Sequence, residues 1–280
     1  PVIYTKQDLR EESSKIIQPG TAATFPLEEI GVPGTQSSKL IVSSTFPTRL
    51  NYYINNVLRY PYGCNEQTAS SAFAAVLAKE FYPDDAEKNE QIKEIVNNSI
   101  SSLEKKQLSS GAWSLWGTSD INPWVTSYIG HFLYYAQDNA YSVTDNVVDN
   151  FLNYQKKAVA AWSPNLSLYG NSRNISDFSQ AYRLYTLALW RQPKLSEMNR
   201  LADSKSLSHG ARLFLAAAYS ITNYPDKASE LLENSSGEIE GDNSYFNSSL
   251  RNLAISVILN HQVGKDSDAN RAFSLLQDAV

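Results

Sequence analysis

From residue 48 onward the chain repeats one pattern, in which short stretches with helical spacing are separated by brief polar turns. The apolar residues of the first stretch recur at helical spacing, and they are Leu50, Tyr53, Ile54, Val57 and Leu58. The second stretch, TASSAFAAVLAKEFY, is rich in Ala and ends before Pro83. Strand-like alternation is nearly absent there, so the chain can bury its apolar faces only by packing helix on helix.

Nine further helical stretches follow, and together they predict an α/α-toroid, in which an inner ring of helices is wrapped by an outer ring. They cover residues 87–107, 123–139, 143–162, 177–192, 197–204, 208–223, 224–234, 244–262 and 266–280. Small residues on the contact faces favour hairpins packed side by side. The irregular spacing of alternate stretches argues against a tetratricopeptide array.

Residues 1–45 are predicted to differ from this helical body. They combine Pro-Gly turn signals with two short β-branched runs, ATFPL at 23–27 and KLIVSST at 39–45. These features predict two or three strands of a flanking β-domain. Residues 46–280 are predicted to form the helical domain. The abrupt start and the ending RAFSLLQDAV suggest a piece of a longer protein, with the helical domain incomplete at its C-terminus.

Composition excludes several classes of function. With 280 residues, 42% of them hydrophobic, the chain can build a large core. Its formal net charge is −5 and no run of basic residues occurs, so the chain lacks the basic patch that is typical of a nucleic-acid binder. No stretch has the roughly 18 apolar residues of a membrane span, and the first residues do not form a signal peptide. We therefore expect no nucleic-acid partner and no direct membrane contact from this chain.

The single cysteine, Cys64, stands in the stretch YPYGCNEQTASSAF. A lone cysteine is most often a small buried apolar residue, and the lack of any internal disulfide favours a bacterial origin. Cys64, however, precedes a helix that is predicted to start near Thr68, where the positive end of the helix dipole stabilises a thiolate. Gln67 follows three residues later, within reach of the sulfur in a tight turn.

Attack of that thiolate on the Gln67 carboxamide would expel ammonia and leave an internal thioester, which is a stored acyl donor. Such a bond lasts only where water is kept away from it. The aromatic residues that we predict to shield it are Tyr60, Tyr62, Trp113, Trp116, Trp124 and Tyr128.

The stretch YPYGCNEQTAS resembles the thioester signature of the alpha-2-macroglobulin and complement family, whose core is Gly-Cys-x-Glu-Gln. Gly63, Cys64, Glu66 and Gln67 carry the match. The flanking YPYG and TAS, together with the later SSGAWSLWG and PWVTSYIGHFL, resemble the bacterial branch in particular. The resemblance implies a thioester domain with the toroid fold, inserted into a CUB-like β-sandwich domain that would include residues 1–45.

In function, the resemblance implies a protease trap that reacts once, not an enzyme. A protease would cleave a bait region elsewhere in the parent macroglobulin, and the exposed thioester would then capture a lysine of the attacker. Cys64 would be the leaving thiol, Gln67 would supply the acyl carbon, and Glu66 would support the turn. No metal or other cofactor is implied. The implied partners are target proteases and the rest of the parent chain, in an exported protein of the periplasm or cell envelope whose parent could carry a lipid anchor.

One departure from the complement pattern bears on the target chemistry. Complement members that prefer hydroxyl targets carry a histidine shortly before the helix that resembles WVTSYIG, and residues 115–122 contain none here. This points to direct reaction with amines, as in the macroglobulin branch. It leaves open whether Asp120 or Asn122 takes part in the chemistry.

Three other functions stay open on the sequence alone. A cysteine hydrolase would need a histidine oriented against Cys64, and folding could bring His131 there. A toroid enzyme that handles diphosphates would use acidic motifs, for which Asp84 and Asp85 are the candidates. A helical scaffold would bind partners through exposed aromatic residues without any chemistry. The histidines stand far apart, without metal-ligand spacing: His131, His209 and His261.

Overall fold

The computed structural model describes residues 63–163, 176–204, 207–233 and 248–279, together with most positions between 9 and 42. The chain divides into two compact units, Pro1–Thr48 and Arg49–Val280. The described residues of the first unit form turns at 19–20 and 31–34 and contain no strand. The assignment of residues 1–45 to a β-sandwich domain stays a prediction, since a sandwich would need strands from elsewhere in the parent chain.

The second unit contains the helices, which are named here in chain order. They are α1 Asn65–Ala78, α2 Ala86–Lys105, α3 Pro123–Asp138, α4 Asp145–Ala161, α5 Asp177–Leu189, α6 Leu195–Ala202, α7 His209–Ile221, α8 Pro225–Leu232, α9 Ser249–Gln262 and α10 Asp266–Asp278. A single 3₁₀ turn, Lys79–Phe81, extends α1. The predicted stretch at residues 48–60 lies outside the described residues. None of the helices within the described ranges is long and apolar enough to cross a membrane.

Consecutive helices pair into five hairpins within the described residues. The odd-numbered helices pack in a row, α1 on α3, α3 on α5, α5 on α7 and α7 on α9. The even-numbered helices pack against odd-numbered ones, on the outside of this row. This is the inner and outer layering of an α/α-toroid, and the predicted fold class is confirmed. That the domain is incomplete at its C-terminus stays a prediction.

The odd-numbered helices run in the same direction, so that their amino ends share one end of the unit. Near the starts of α3 and α5, the rings of Trp124 and Phe178 stack with their centroids 5.9 Å apart. At the opposite end, the Ser220 hydroxyl near the end of α7 donates to the carbonyl of Gln262, the last residue of α9. The residue that caps α1 therefore lies at the amino end of the whole inner row.

Small residues permit this close packing of the inner helices. Ala69, Ala72 and Ala75 on α1 are completely buried. A methyl group on Gly130 of α3 would lie 2.0 Å from the Phe151 ring of α4, so glycine is required where these two helices meet. Around these contacts lie large buried side chains, each of which stabilises the fold by about 1.5–3 kcal/mol relative to exposure.

Helix α1 begins three residues earlier than the sequence pattern predicted. We expected its start near Thr68, whereas Asn65 is its first residue and Cys64 is its N-cap, with extended backbone angles of −64° and 172°. Cys64 is therefore not in a turn ahead of the helix but is part of its first turn. This change brings its side chain and that of Gln67 into the same capping arrangement.

Candidate functional site: the Cys64–Gln67 turn

The Cys64–Gln67 turn is held by reciprocal contacts between its two end residues. The backbone N–H of Cys64 donates to Oε1 of Gln67 at 3.0 Å. The Cys64 side chain in turn faces the backbone N–H of Gln67, which completes a capping box. Cys64 is 6% exposed, whereas the Gln67 side chain is exposed. The carboxamide is thus folded back over the cysteine and presented on the surface of the unit.

Gly63 is required by the same turn. A methyl group built on Gly63 would lie 2.6 Å from both Cβ and Oε1 of Gln67 and 3.3 Å from its Cδ. Real Cβ atoms do not approach side chains this closely, so any other residue would push the Gln67 side chain away. The backbone of Gly63 therefore forms one wall against which the carboxamide rests.

Asn65 ties the turn to a loop far along the chain. Its backbone N–H donates to the Leu115 carbonyl at 2.8 Å, and its side-chain amide donates to the Ser114 carbonyl at 2.8 Å. Asn65 itself is 1% exposed. Sequence reasoning missed this residue because it occupies the variable position of the motif, and nothing in the sequence signals a partner so distant. These two bonds fix the position of Cys64 relative to the GAWSLWG loop.

The loop is in turn anchored by Trp113 and the start of α3. Trp113 is completely buried, and its ring N–H donates to the Leu103 carbonyl at 2.7 Å. Its backbone N–H donates to the Thr126 hydroxyl at 3.0 Å. The Asn122 side chain caps α3 by accepting from the Val125 N–H. Asn122, whose role was left open by the sequence, therefore has a structural role at the start of α3.

The predicted shielding residues occupy different environments. Trp113 lies in the core, Trp116 on the same loop is 69% exposed, and Trp124 and Tyr128 are partly buried along α3. The Trp124 ring stacks on the Tyr128 ring at 6.4 Å. Tyr60 and Tyr62 lie outside the described residues. The shielding role of these side chains stays a prediction.

Glu66 is the acidic residue in the first turn of α1. Partial burial raises the pKa of its carboxyl, and the nearby guanidinium of Arg251 from α9 opposes that rise. Burial also raises the pKa of Tyr128, whose hydroxyl bonds to Ser70. The Arg251 guanidinium of α9 is therefore close enough to act electrostatically on the Glu66 carboxyl at the start of α1.

His131 lies inside the inner row, away from Cys64. Its Nδ1 is 3.0 Å from the Tyr182 hydroxyl, and its ring contacts Phe73 edge-on with centroids 5.0 Å apart. Burial lowers the pKa of His131 to about 3, although the residue as a whole is only partly buried. Phe73 is nine residues after Cys64, which places His131 about 13 Å along α1 from the cysteine. The structure does not bring these two residues together.

The other acidic and histidine candidates do not assemble into a site. Asp85 caps α2 by accepting from the Lys88 N–H at 2.8 Å. His261 pairs with Asp266 on the surface of the fifth hairpin. Within the described part of the chain, no group of three or more His, Cys, Asp or Glu side chains is arranged to hold a metal ion.

Comparison with known proteins agrees with the fold and the motif. The model of the A-macroglobulin TED domain family matches residues 36–160. The alpha-2-macroglobulin of Xylella fastidiosa is 27% identical over 268 residues. That alignment covers 88% of this chain but only 16% of the relative, so the chain spans a small part of the length of such proteins.

Two solved structures share the architecture. Salmonella alpha-2-macroglobulin reacted with methylamine matches with a TM-score of 0.71 at 23% identity, over 82% of this chain and 16% of that one. Escherichia coli alpha-2-macroglobulin activated by porcine elastase matches with a TM-score of 0.66 at 21% identity, over 80% and 22% of the two chains. Residues 36–160 therefore match the A-macroglobulin TED domain family, and the chain as a whole is similar to the bacterial alpha-2-macroglobulins, as its motifs predicted.

Proposed function

We propose that Cys64 and Gln67 form an internal thioester, and that the parent protein uses it to trap proteases covalently. The observation that carries the proposal is the turn itself, in which the Gln67 carboxamide is folded back onto Cys64 with its oxygen 3.0 Å from the Cys64 nitrogen. A capping box normally joins two inert side chains. Here it joins a nucleophile to an acyl group.

The same turn supports both the formation of the thioester and its later reaction with an amine. When the Cys64 sulfur attacks Cδ of Gln67, negative charge develops on Oε1, and the Cys64 N–H already donates to that oxygen. Collapse of the intermediate breaks the Cδ–N bond and releases ammonia, which takes the thiol proton. In the trap, a lysine amine then attacks Cδ, the Cδ–S bond breaks, and the amine proton passes to the sulfur. The lysine becomes amide-linked to residue 67 and a free thiol appears at Cys64.

The relatives support this assignment. The Salmonella homologue is described as reacted with methylamine, a small amine of the kind that a thioester acylates. The Escherichia coli homologue is described as activated by elastase. We extend both properties to the parent of this chain, and we place that parent outside the cytoplasm, in the periplasm or cell envelope. Its proteases, its capture of lysine and any lipid anchor belong to the proposal.

A cysteine hydrolase is less well supported by the site. Its base would have to reach the sulfur, whereas His131 is paired to Tyr182 and lies about 13 Å away along α1. In the formation of the thioester the thiol proton leaves with the ammonia, so no histidine beside the sulfur is needed. The trap therefore requires only groups that the turn already contains.

Intact mass and thiol titration, before and after methylamine, test the proposal on the full-length parent protein. We expect a mass about 17 Da below the sequence value, and one thiol released only by the amine. A mass about 1 Da above the sequence value with a free thiol would show that the bond formed and was hydrolysed. An unchanged mass, with a free thiol and no response to the amine, would refute the thioester.

Replacing Gly63 by Ala should impair formation of the thioester without unfolding the domain. The new methyl group would lie 2.6 Å from Gln67 Oε1 and displace the carboxamide from Cys64. We expect the fraction of molecules with the mass deficit to fall at least about tenfold, a misplacement effect of ordinary size. The unfolding midpoint serves as the control for folding. A Gly63→Ala protein with full mass deficit would show that this wall of the turn is dispensable.

A further inference from the structure

The peptide group that joins Cys64 to Asn65 is held at both of its polar atoms. The Cys64 carbonyl accepts from the Thr68 N–H at 3.0 Å and from the Thr68 hydroxyl at 3.1 Å. On the other side of the peptide plane, the Asn65 N–H donates to the Leu115 carbonyl at 2.8 Å. Because the backbone is held in this way, the Cys64 sulfur can move mainly by rotation about its Cα–Cβ bond.

The Asn65 side chain adds a second bond to the same GAWSLWG loop. Its amide nitrogen donates to the Ser114 carbonyl at 2.8 Å, so that two donors of one residue bind two consecutive carbonyls. The loop is itself braced, since Ser114 forms an antiparallel bridge with Ile121 and the Asn122 N–H donates to the Trp113 carbonyl at 2.9 Å. The side chain of Asn65 therefore ties the reactive turn to a fixed support.

Asn65 is an expensive choice for the stability of the fold. Its Oδ1 atom is buried and finds no hydrogen-bond partner among the described residues, and the same is true of the Ser114 hydroxyl. A buried polar atom without a partner lowers the stability of the folded state. An apolar side chain of similar size would avoid an unpaired oxygen at position 65. Departures of this kind from the most stable choice are expected at functional sites.

We propose that Asn65 is a positioning residue for thioester formation, which holds Cys64 where its sulfur can attack Cδ of Gln67. The inference rests on the proposed function. In the step, the S–Cδ bond forms, the Cδ–N bond breaks, and ammonia leaves with the thiol proton. Asn65 takes no part in these bond changes and acts through the backbone of Cys64.

The mass of the protein distinguishes positioning from the other roles that this bond could have. If Asn65 positions the sulfur, its loss slows formation, and molecules with the unchanged sequence mass and a free thiol accumulate. If the bond only kept water away, the thioester would form and then hydrolyse, which gives a mass about 1 Da above the sequence value. If the bond only stabilised the fold, the urea midpoint would fall together with the bonded fraction.

The test uses the full-length parent protein in the forms wild type, N65L, N65D and N260L. Leucine at position 65 matches the size of the side chain and removes both the donor and the unpaired oxygen. Aspartate keeps the shape without the donor, and its charge suits the first turn of a helix. Asn260 provides the matched control near the end of α9, since it is 4% exposed and its amide donates to the Ser256 carbonyl at 2.8 Å.

Each protein is isolated at a fixed short time after synthesis, and bonded molecules, about 17 Da below the sequence mass, are counted against unbonded ones. We expect this ratio to fall about fivefold in N65L and N65D, the factor that corresponds to the loss of one ordinary hydrogen bond. N260L should keep the wild-type ratio, and N65L should keep a urea midpoint close to that of wild type.

Three results would overturn the proposal. They are a wild-type ratio in either Asn65 variant, a loss of bonded N65L that appears as the hydrolysed mass, and a loss in N65L that only accompanies a lower urea midpoint. If wild type shows neither the bonded nor the hydrolysed mass, the proposed function itself fails. If wild type shows the bonded mass, these results judge Asn65 alone.

Discussion

Replacing Cys64 by Ala should abolish covalent capture completely. The variant has no sulfur to bond Cδ of Gln67, so the mass deficit of about 17 Da should disappear and methylamine should add nothing. Conjugates with a test protease should be absent from denaturing gels, whereas non-covalent association would persist. The fold should survive, because Cys64 contributes one small buried side chain at a helix cap.

Two glutamine variants make this result specific to the turn. Gln67→Asn keeps an amide but shortens the side chain by one methylene, so it should fail to form the thioester. Gln137→Asn, an identical change at an exposed position on α3, should behave as wild type. Undiminished covalent capture by the Cys64→Ala protein would show that another group forms the covalent bond and that Cys64 is an ordinary buried cysteine.

Acidification should destabilise the helical unit through His131. Its pKa is lowered to about 3 in the folded state, against about 6.5 in an unfolded chain. Above pH 6.5 the ring is neutral in both states, and the stability is fully present. Between pH 6.5 and pH 3 only the unfolded state binds the proton, so the free energy of unfolding falls with pH. Because the residue as a whole is only partly buried, we expect a loss of at most about 3 kcal/mol at pH 4.

Urea unfolding at pH 7 and pH 4 measures this loss. The His131→Gln variant should be less stable at pH 7, where the aromatic contacts of the imidazole are lost, but it should lose less stability on acidification than wild type. His261→Gln makes the same change at an exposed histidine and should keep the wild-type difference. Equal losses in wild type and in His131→Gln would assign the acid sensitivity to other groups.

Apolar periodicity and capping residues in the sequence predicted the helices of the second unit well. For α3, a stretch predicted at 123–139 became Pro123–Asp138, because proline fits the first helical position and Asn122 provides a side-chain cap. For α1 the same reasoning was wrong by three residues. Cysteine is not among the usual capping residues, so the pattern gave no sign that Cys64 itself begins the first turn.

The site was predictable only as far as it is local. Gly63, Cys64 and Gln67 lie within one turn, so their spacing already indicated their contact. Asn65 and Arg251 could not be found this way, since Asn65 bonds to the loop after α2 and Arg251 lies over the Trp124 ring of α3. The periodicity of apolar residues predicts which face of each helix is buried. It does not predict which side chains from distant helices contact one another.

The common direction of the inner helices has an electrical consequence. Each helix carries roughly half a positive charge at its amino end, so this end of the unit is more positive than the opposite end, and the charge that acts most strongly on the Cys64–Gln67 turn is that of α1 itself. Such a field favours the anionic oxygen that forms during acyl transfer. It also disfavours the approach of a protonated lysine. The end of the unit that holds the reactive pair therefore admits an amine most readily as the uncharged base, which is the form that can attack.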